Sequence, residues 1–581
     1  DALPISIVVN LAKWSLCVDP LKISSSLHSS FTESLGSIIS LSKEKTKEHL
    51  AKPVHYRKLA KRLSFTDKKK VEEWWKNFSK EHKIVKNALF FTQEYERSYP
   101  YGSLLGQVLH TLSYDKDPST KEAVPTGGLE LAFDSYLKGK PAKKMHLRSL
   151  RHQIVAETEH AAPIPGADVY LTINHALQTI VEEELEKGVK ASKAKTGWAI
   201  LMDPYTGEIW AMGQYPFFDL REPGPYFSDP LKQESTKFKA VIDPFEPGST
   251  IKPLTMVLGF MANQELIKQG RSPAFSISQK FAVGKSSFPG RKKEITDVTT
   301  AKWMRLDMAM QKSSNVYMAK IVQRIVEELG EKWYRDRLVS VFGFGQKVGI
   351  ELPGESRGLL PSFEKKHPNG APEWSKATPY SLAIGYNLLA TSFQMVRAYA
   401  MLANGGYSVH PHIVKKIVRL EEKGDKKILF DWEIKHPYGE REKKIPSYAL
   451  DPVIHSMRYT MQKGGSGAKA AIPGYTGAGK TGTAEKVVKG TYAKNVHTST
   501  FMGWAPLKHP RFVLQVVMDE PQFGYIPGIG KNHMGSGCCA PVYREIGRRV
   551  LAYLGEPPES ADALLIQEVE ALNKEYRQWN P

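Results

Sequence analysis

Length, composition and charge describe an ordinary globular chain with an excess of basic residues. The 581 residues include 81 Lys and Arg against 61 Asp and Glu, a formal net charge of +20, and 41% of them are hydrophobic. This composition excludes a disordered or collagen-like chain, and 3 cysteines exclude a disulfide scaffold. No run approaches the roughly 18 to 20 apolar residues that span a bilayer.

The predicted elements alternate between helices and strands along the whole chain. Helix-spaced apolar residues, β-branched runs and turn residues are the signals used. Strands at both ends of the sequence flank the helices, which favours an α+β fold whose central sheet is closed by C-terminal strands. In chain order we predict a strand at 7–9, a strand at 169–173, a helix through 177–185, a hairpin of 198–202 and 209–212 with Gly207 at its turn, helices near 249–265, 302–329 and 391–404, strands at 498–504 and 512–518, a helix at 541–554, and a loosely attached helix after Pro557.

The positive charge is concentrated between residues 43 and 86, where 15 Lys or Arg stand against 6 Asp or Glu. Trp74, Trp75 and Phe78 are interleaved with them. Such a mixture fits a nucleic-acid or anionic-lipid surface, but we favour a solvated face of amphipathic helices, because charge runs usually form no more than this. No zinc-finger spacing, phosphate loop or RNA-recognition signature accompanies the run, so we expect no nucleic-acid partner.

A serine followed three residues later by a lysine is the first candidate for chemistry. Residues i and i+3 share a helix face, so the amine of Lys252 could reach the hydroxyl of Ser249. A serine becomes a strong nucleophile when a neighbouring base takes its proton, and a lysine can be that base if burial or another cation keeps it neutral. The triplet alone is weak, because other copies occur by chance in a Lys-rich chain. This copy differs in following Pro247 and Gly248, a turn into a helix start, which would aim backbone N–H groups at the serine.

Two later segments supply complementary groups. Ser313 and Asn315 lie inside a predicted helical stretch, where a hydroxyl could relay a proton and a carboxamide could hold an amide. In the second segment, Lys480 offers a cation, and a glycine in a strand permits close approach of a ligand backbone. Its members, Lys480, Thr481, Gly482 and Thr483, could together bind a carboxylate.

A second Lys-Thr-Gly triplet occurs at residues 195–197. It precedes Ser249, and Trp198 follows it where a small hydroxyl residue would be needed. We interpret it as a turn into a buried strand.

The ordered set of Ser249-x-x-Lys252, Ser313-x-Asn315 and Lys480-Thr-Gly-Thr483 resembles the penicillin-binding proteins and serine β-lactamases. The flanks are similar to the class B (monofunctional) penicillin-binding proteins, and the Phe-Glu-Pro-Gly-Ser and Ser-Ser-Asn-Val versions are similar to the division-specific branch. The resemblance extends over nearly the whole chain. The segments that carry it are 97–100, 128–130, 171–178, 203–208, 245–253, 349–355, 394–406 and 480–484.

The resemblance implies an α+β fold with three parts. The first, residues 1–165, is an elongated non-catalytic pedestal or interaction domain. The second, 166–556, is a serine transpeptidase/β-lactamase-like domain with an antiparallel sheet and helices on both faces. The third, 557–581, is a C-terminal tail. The family's R-G-x-I-x-D-R-N-G entry segment is missing, and Asn174 stands where Asp is usual.

The implied activity is a peptidoglycan D,D-transpeptidase that cross-links stem peptides in septal wall synthesis and is acylated by β-lactams. Its partners would be a D-Ala-D-Ala donor, an amine acceptor, a glycosyltransferase and division proteins bound by the N-terminal domain. The chain would face the periplasm, held to the inner membrane by a single N-terminal anchor outside this sequence, with no cofactor and no metal. The implied roles are Ser249 as nucleophile, Lys252 as base, Ser313 as relay, Asn315 and Lys480 as catalytic partners, Thr481, Gly482 and Thr483 as substrate contacts, and the backbone N–H groups of Ser249 and Thr483 as oxyanion hole.

Three alternatives stay open. A β-lactamase would need a hydrolytic base, and no Leu-Asn dipeptide lies between Asn315 and Lys480 to supply the class A segment. A non-catalytic β-lactam sensor or division scaffold would share the fold without needing Lys252 beside Ser249. A zinc site at His533, Cys538 and Cys539 is conceivable, but this spacing matches no standard ligand pattern.

Overall fold

The coordinates come from a computed structural model, which describes residues 4–113, 123–140, 143–148, 154–367, 369–421, 424–488, 490–560 and 562–581. The chain divides into two compact units, Asp1–Gly102 and Ser103–Pro581. The domain boundaries suggested at 165 and 556 stay predictions. Within these described ranges, none of the helices has both the length and the apolar character that crossing a bilayer requires.

The first unit is built on a three-stranded antiparallel sheet in the order β2-β1-β3. Its core joins Leu16 and Val18 of the sheet to Phe31 and Val71 of the helices. The strand predicted at residues 7–9 begins only at residue 9, because its buried part lies at the other end, in residues 15–18. The elements are β1 Val9–Val18, α1 His28–Gly36, α2 Lys43–Leu50, β2 Arg57–Leu63, α3 Phe65–Glu81 and β3 Leu89–Ser98.

Helix α3 carries much of the basic run, and two of its aromatic residues, Trp75 and Phe78, are buried. Ser64 caps the helix by accepting the N–H of Asp67 at 3.0 Å. Trp75 is 8% exposed, and both Trp75 and Phe78 pack edge-on against Phe31. These rings are therefore unavailable for stacking on bases, which supports a solvated face of an amphipathic helix.

The second unit begins with short elements that lead to a long helix and a hairpin. Asn174 caps α7, because its side-chain oxygen accepts the N–H groups of Ala176 and Leu177. An aspartate at this position would cap the helix in the same way. The predicted hairpin is confirmed as β9 and β10, with Gly207 at φ +82°. The elements are α4 Gly106–Leu109, β4 Leu112–Ser113, β5 Val124–Pro125, α5 Gly128–Ala132, α6 Asp134–Leu137, β6 Lys143–Arg148, β7 Ile154–Ala161, β8 Asp168–Leu171, α7 His175–Ser192, β9 Thr196–Met202, β10 Ile209–Tyr215, α8 Gly224–Ser228, α9 Pro230–Gln233 and α10 Lys239–Ile242.

The helical middle of the second unit differs from the sequence prediction at the block 302–329. This block opens with a short strand at Trp303–Met304, and the rest is two helices, because Ser313 adopts φ +62° and ends the first of them. The elements are α11 Lys252–Lys268, β11 Phe281–Ala282, β12 Lys285–Ser286, β13 Ile295–Thr296, β14 Trp303–Met304, α12 Leu306–Lys312, α13 Asn315–Leu329, α14 Glu331–Phe342, α15 Thr378–Leu382 and α16 Ser392–Ala403.

The C-terminal part supplies three long strands and two long helices. The predicted strands and the helix at 541–554 are confirmed within a few residues, apart from the earlier start of β18. The elements are β15 Val414–Leu420, β16 Lys426–Asp431, α17 Trp432–Lys435, α18 Ser447–Met457, β17 Ala478–Val488, β18 Thr491–Ala505, β19 Phe512–Asp519, β20 Tyr525–Ile526, β21 Gly530–Lys531, α19 Gly535–Cys538, α20 Ala540–Tyr553 and α21 Ala563–Trp579.

A five-stranded antiparallel sheet in the order β10-β9-β19-β18-β17 forms the centre of the second unit. Every residue of β9 and β19 is buried, as expected of strands covered on both faces. Helices α7 and α20 pack on one face, through the core that contains Leu201 and Leu514. On the other face, Trp198 Nε1 donates to Ser392 Oγ of α16 at 2.7 Å. The predicted antiparallel sheet with helices on both faces is confirmed.

Candidate active site

Ser249 lies in a tight turn, Gly248–Ile251, that leads directly into α11. Gly248 has φ +52°, a conformation that favours glycine, and its N–H donates to the carbonyl oxygen of Gly385 at 3.1 Å. Pro253 stands in the first turn of α11, where a missing N–H breaks no helical hydrogen bond. Ser249 is partly exposed, whereas its neighbours in the turn are buried. The predicted nucleophile is therefore held at a helix N-terminus with its side chain accessible.

Lys252 is the base that the sequence predicts, and its side chain is 0% exposed. Its Nζ donates to the carbonyl oxygen of Ser313 at 2.6 Å and to Ser313 Oγ at 3.1 Å. It also donates to Asn315 Oδ1 at 2.7 Å. Throughout the described ranges, no hydrogen bond joins Lys252 Nζ to Ser249 Oγ. The amine thus reaches the Ser313–Asn315 segment rather than the serine on its own helix.

Ser313 sits in the break between α12 and α13, not within a helix as predicted. Its left-handed conformation ends α12, and Ser314 then caps α13 by accepting the N–H of Tyr317 at 3.0 Å. The break turns the Ser313 hydroxyl toward both buried amines: Lys480 Nζ donates to it at 2.8 Å, and Lys252 is its other partner. One hydroxyl therefore connects the two lysines.

Lys480, Thr481, Gly482 and Thr483 lie on β17, the edge strand of the central sheet. A Cβ on Gly482 would lie 2.7 Å from the carbonyl oxygen of Pro247, so only glycine lets this strand approach the nucleophile turn so closely. Thr481 Oγ1 contacts Ser466 Oγ at 3.4 Å, and Thr483 Oγ1 accepts the N–H of Gly535 at 3.0 Å. The structure thus brings all three predicted motifs together around Ser249. Through Gly535, the segment 533–539 packs against Thr483.

Burial controls the charge of both lysines. Desolvation lowers the pKa of Lys252 to about 7, although the Asp297 carboxylate opposes this change. Lys480 is also 0% exposed, and burial followed by repulsion from Lys252 lowers its pKa well below the usual value. At neutral pH the site can hold Lys252 as a neutral amine, which a general base must be.

Asp297 was not identified from the sequence. Its carboxylate accepts the hydroxyl of Ser314 at 2.8 Å and the N–H of Val316 at 3.1 Å, and it also accepts the N–H of Asn315. The N–H of Gly284 is a further donor, at 3.2 Å. An anion at the N-terminus of α13 stabilises the helix that carries Asn315. No motif marks Asp297, because it joins the site only through the fold.

The structure also places the residues behind two weaker sequence hypotheses. Thr196 and Gly197 already lie in buried strand β9 and Lys195 directly precedes it, so this triplet is the start of the strand rather than a turn before it. His533 Nδ1 contacts the N–H of Gly524, while Cys538 and Cys539 are buried with their sulfur atoms 3.7 Å apart. Across the described part of the chain, no three His, Cys, Asp or Glu side chains are grouped so that they could hold a metal ion.

Family models match two parts of the chain. The penicillin binding protein transpeptidase domain matches residues 197–546, and the penicillin-binding protein dimerisation domain matches residues 5–171. The first of these matches alone spans more than half of the chain, and it contains every predicted site residue.

Several curated relatives of similar sequence are named peptidoglycan D,D-transpeptidases. The probable peptidoglycan D,D-transpeptidase PenA of Neisseria meningitidis is 30% identical over 81% of this chain and 70% of its own length. The peptidoglycan D,D-transpeptidase FtsI of Buchnera aphidicola is 29% identical over 81% of this chain and 72% of its own length. FtsI of Escherichia coli is 27% identical over 82% of this chain and 71% of its own length.

A solved structure is similar in fold. Penicillin Binding Protein 2X from Streptococcus thermophilus superposes with a TM-score of 0.72, covering 95% of this chain and 80% of that one at 18% identity. Fold, motif geometry and relatives agree. This chain belongs to the penicillin-binding proteins, in their class B, division-type branch.

Proposed function

We propose that this chain cross-links peptidoglycan as a serine D,D-transpeptidase, through an acyl intermediate on Ser249. The observation that carries the proposal is the arrangement around one hydroxyl. A partly exposed serine at a helix N-terminus precedes buried Lys252 by three residues, and both Lys252 and buried Lys480 donate to the hydroxyl of Ser313. Such a set of nucleophile, base and proton relay suits acyl transfer.

In the first step, Ser249 Oγ attacks the carbonyl carbon between the two terminal D-alanines of a donor stem peptide. Neutral Lys252 takes the hydroxyl proton. The amide bond breaks, and the departing D-alanine receives a proton through Ser313, which contacts both amines. The product is an ester between the stem peptide and Ser249. Asn315, which accepts from Lys252 and donates to the carbonyl oxygen of Thr296 at 2.9 Å, would bind the acyl-side amide.

In the second step, an amine of a neighbouring stem peptide attacks the ester. The ester bond breaks, the new amide forms, and the proton returned to Ser249 restores the hydroxyl. The oxyanion of each step would be stabilised by the backbone N–H groups of Ser249 and Thr483. The close approach of β17 to the nucleophile turn supports this role, because a Cβ on Gly248 would lie 3.1 Å from the Thr483 carbonyl oxygen. Losing one such donor costs about 3 to 4 kcal/mol in other acyl-transfer enzymes.

The lowered pKa of Lys480 fits recognition of a carboxylate. Burial removes the Lys480 ammonium group from water, and the charged group that acts on it, Lys252, is itself a cation. The terminal carboxylate of D-Ala-D-Ala would supply the missing counter-charge, with the hydroxyl groups of Thr481 and Thr483 beside it. Substrate binding would therefore favour a charged Lys480, and this charge would in turn disfavour a proton on Lys252, its neighbour across Ser313.

The mass of the intact protein after addition of benzylpenicillin tests the nucleophile and the reaction class. We expect one adduct that persists for hours in the wild type and is absent in Ser249→Ala. An adduct that decays in seconds while the drug is consumed would instead indicate a β-lactamase. A wild type that forms no adduct would indicate a non-catalytic scaffold.

Transpeptidation itself is tested with a synthetic stem pentapeptide that ends in D-Ala-D-Ala, supplied with an amine acceptor. We expect free D-alanine and a peptide–acceptor amide in equal amounts. Release of D-alanine without the amide, by hydrolysis alone, would contradict a transpeptidase assignment.

We place the chain at the periplasmic face of the inner membrane, with its N-terminal unit bound to a glycosyltransferase and division proteins. The similarity to FtsI and the match of residues 5–171 to the dimerisation domain support this location. Protease added to spheroplasts of the source cell should degrade the chain, while intact cells should protect it. Survival of the chain in spheroplasts alongside a cytosolic control would refute the location.

A further inference from the structure

The C-terminal helix α21 packs near the site, a position that the sequence did not predict. It lies beyond residue 546, where the match to the transpeptidase family model ends. The sequence predicts a loosely attached helix here, but the helix is well anchored. Asp562 caps it by accepting the N–H of Leu565 at 2.9 Å, and Leu565, Val569 and Leu572 are buried on its inner face. These contacts give α21 a fixed position on the second unit.

One end of α21 holds the element that leads to Ser313. Glu575 accepts from the guanidinium of Arg305 at 3.1 Å, and Arg305 directly precedes α12 as its N-cap residue. Asn580 bonds to the backbone of Trp303 through both its amide atoms, accepting at 2.9 Å and donating at 3.0 Å. Ser313 caps the other end of α12, so these contacts hold the start of the helix that leads to the shared hydroxyl.

The middle of α21 holds a loop, residues 462–466, on the other side of the site. Asn573 Nδ2 donates to the carbonyl oxygen of Lys463 at 3.0 Å. A Cβ on Gly464 would lie 2.7 Å from Asn573 Oδ1, so the helix touches the loop backbone directly. The loop ends at Ser466, whose hydroxyl contacts Thr481 Oγ1 at 3.4 Å.

The two supported elements are also joined to each other. Lys312, at the end of α12, donates through Nζ to the carbonyl oxygen of Gly464 at 2.8 Å, and its amine lies 4.7 Å from the ring centre of Tyr576. The N–H of Ser466 donates to the carbonyl oxygen of Gln311 at 3.0 Å. Helix α21, α12 and the loop therefore form one connected unit behind Ser313 and Thr481.

We propose that α21 is a positioning element of the active site: Asn573 and Glu575 hold the 462–466 loop and α12 at the spacing that acylation of Ser249 requires. Neither residue touches the reacting atoms, so both act through Ser313 and Thr481. A loop with two consecutive glycines has little conformational preference of its own, and displacements of about 1 Å can slow catalysis about 100-fold. The inference rests on the proposed function of Ser249.

Saturable acylation kinetics with a fluorescent penicillin test this inference, because they separate the dissociation constant of the first complex from the first-order acylation constant. Two proteins are compared with the wild type: a chain that ends at residue 560, and the full chain with Asn573→Ala and Glu575→Ala. We expect the acylation constant to fall about 10- to 100-fold in the shortened chain and about 3- to 10-fold in the double variant. The dissociation constant should change less than twofold.

Two controls separate positioning from stability. Glu570→Ala changes an exposed residue of the same helix and should keep the wild-type constants. Asn573→Ala with Glu575→Gln keeps an oxygen that can accept from Arg305, and it should recover part of the acylation constant. Acylation constants within twofold of wild type in the folded double variant would overturn the proposal, even if its melting temperature fell. A shortened chain that does not fold leaves the decision to the double variant, and a wild type without any adduct would refute the function of Ser249 instead.

Discussion

The carboxylate of Asp297 gives the sharpest prediction about the chemistry of Lys252. Asn315 alone separates the two groups: its N–H bonds to Asp297, and its Oδ1 accepts from Lys252 at 2.7 Å. The anionic carboxylate favours a protonated Lys252, which opposes the effect of burial. Asp297→Asn removes this charge while keeping the side-chain size, so Lys252 should lose its proton at a lower pH than in the wild type.

The expected magnitude follows from Coulomb's law. An asparagine between the two groups puts the charges about 7 Å apart, and an effective dielectric constant of about 20 then gives about 2.4 kcal/mol. This energy corresponds to a change of about one to two pH units in the midpoint of the Lys252 titration. Burial puts that midpoint at about 7 in the wild type. The amide also loses acceptor positions for the N–H groups of α13, so the maximal rate should fall about tenfold.

The assay is the second-order acylation rate constant with a fluorescent penicillin, measured between pH 5 and 10. The wild-type rate should rise with pH through about 7, because protonated Lys252 cannot act as a base. In Asp297→Asn the rise should occur one to two pH units lower, to a reduced plateau. Asp425→Asn removes the same charge from an exposed turn and should leave the profile unchanged. A rise at unchanged or higher pH in Asp297→Asn would refute the electrostatic reasoning.

A close backbone contact, a helix cap and a buried carboxyl group give three further predictions. Gly482→Ala places a Cβ 2.7 Å from the carbonyl oxygen of Pro247, so acylation should slow about 10- to 100-fold, whereas Gly224→Ala, with nothing within 4 Å, should match wild type. Asn174→Ala removes the cap of α7 and should lower the free energy of unfolding by about 1 kcal/mol in denaturant titrations with acylation unchanged; slower acylation would contradict this. Burial raises the pKa of Glu182 to about 7 from 4.5, so its folded form favours the proton and stability falls as pH rises between these values. Glu182→Gln should therefore stabilise the fold by about 2 kcal/mol at pH 8 and by little at pH 4, and an equal effect at both pH values would exclude this cause.

Local sequence signals predicted most long elements of the second unit. The apolar runs of β9 and β19 and the turn at Gly207 each need only neighbouring residues to be recognised. The same kind of signal misled at Ser313, where apolar spacing continued across a residue that adopts a left-handed conformation. Apolar periodicity shows which face of a helix is buried. Both α12 and α13 bury apolar residues, so the apolar pattern continues through the break at Ser313.

The order and flanks of the three motifs were sufficient to identify the family and to predict a nucleophile and the groups around it. The chemistry of these motifs depends on residue type and short spacing, and the sequence gives both directly. The structure alone decided that Lys252 and Lys480 share the Ser313 hydroxyl, that Asp297 anchors α13, and that α21 packs behind the site. These contacts join segments far apart in the sequence, and the pKa of each lysine depends on burial by all of them. Only the packed fold determines the distances between these groups and how far water is excluded from the lysines.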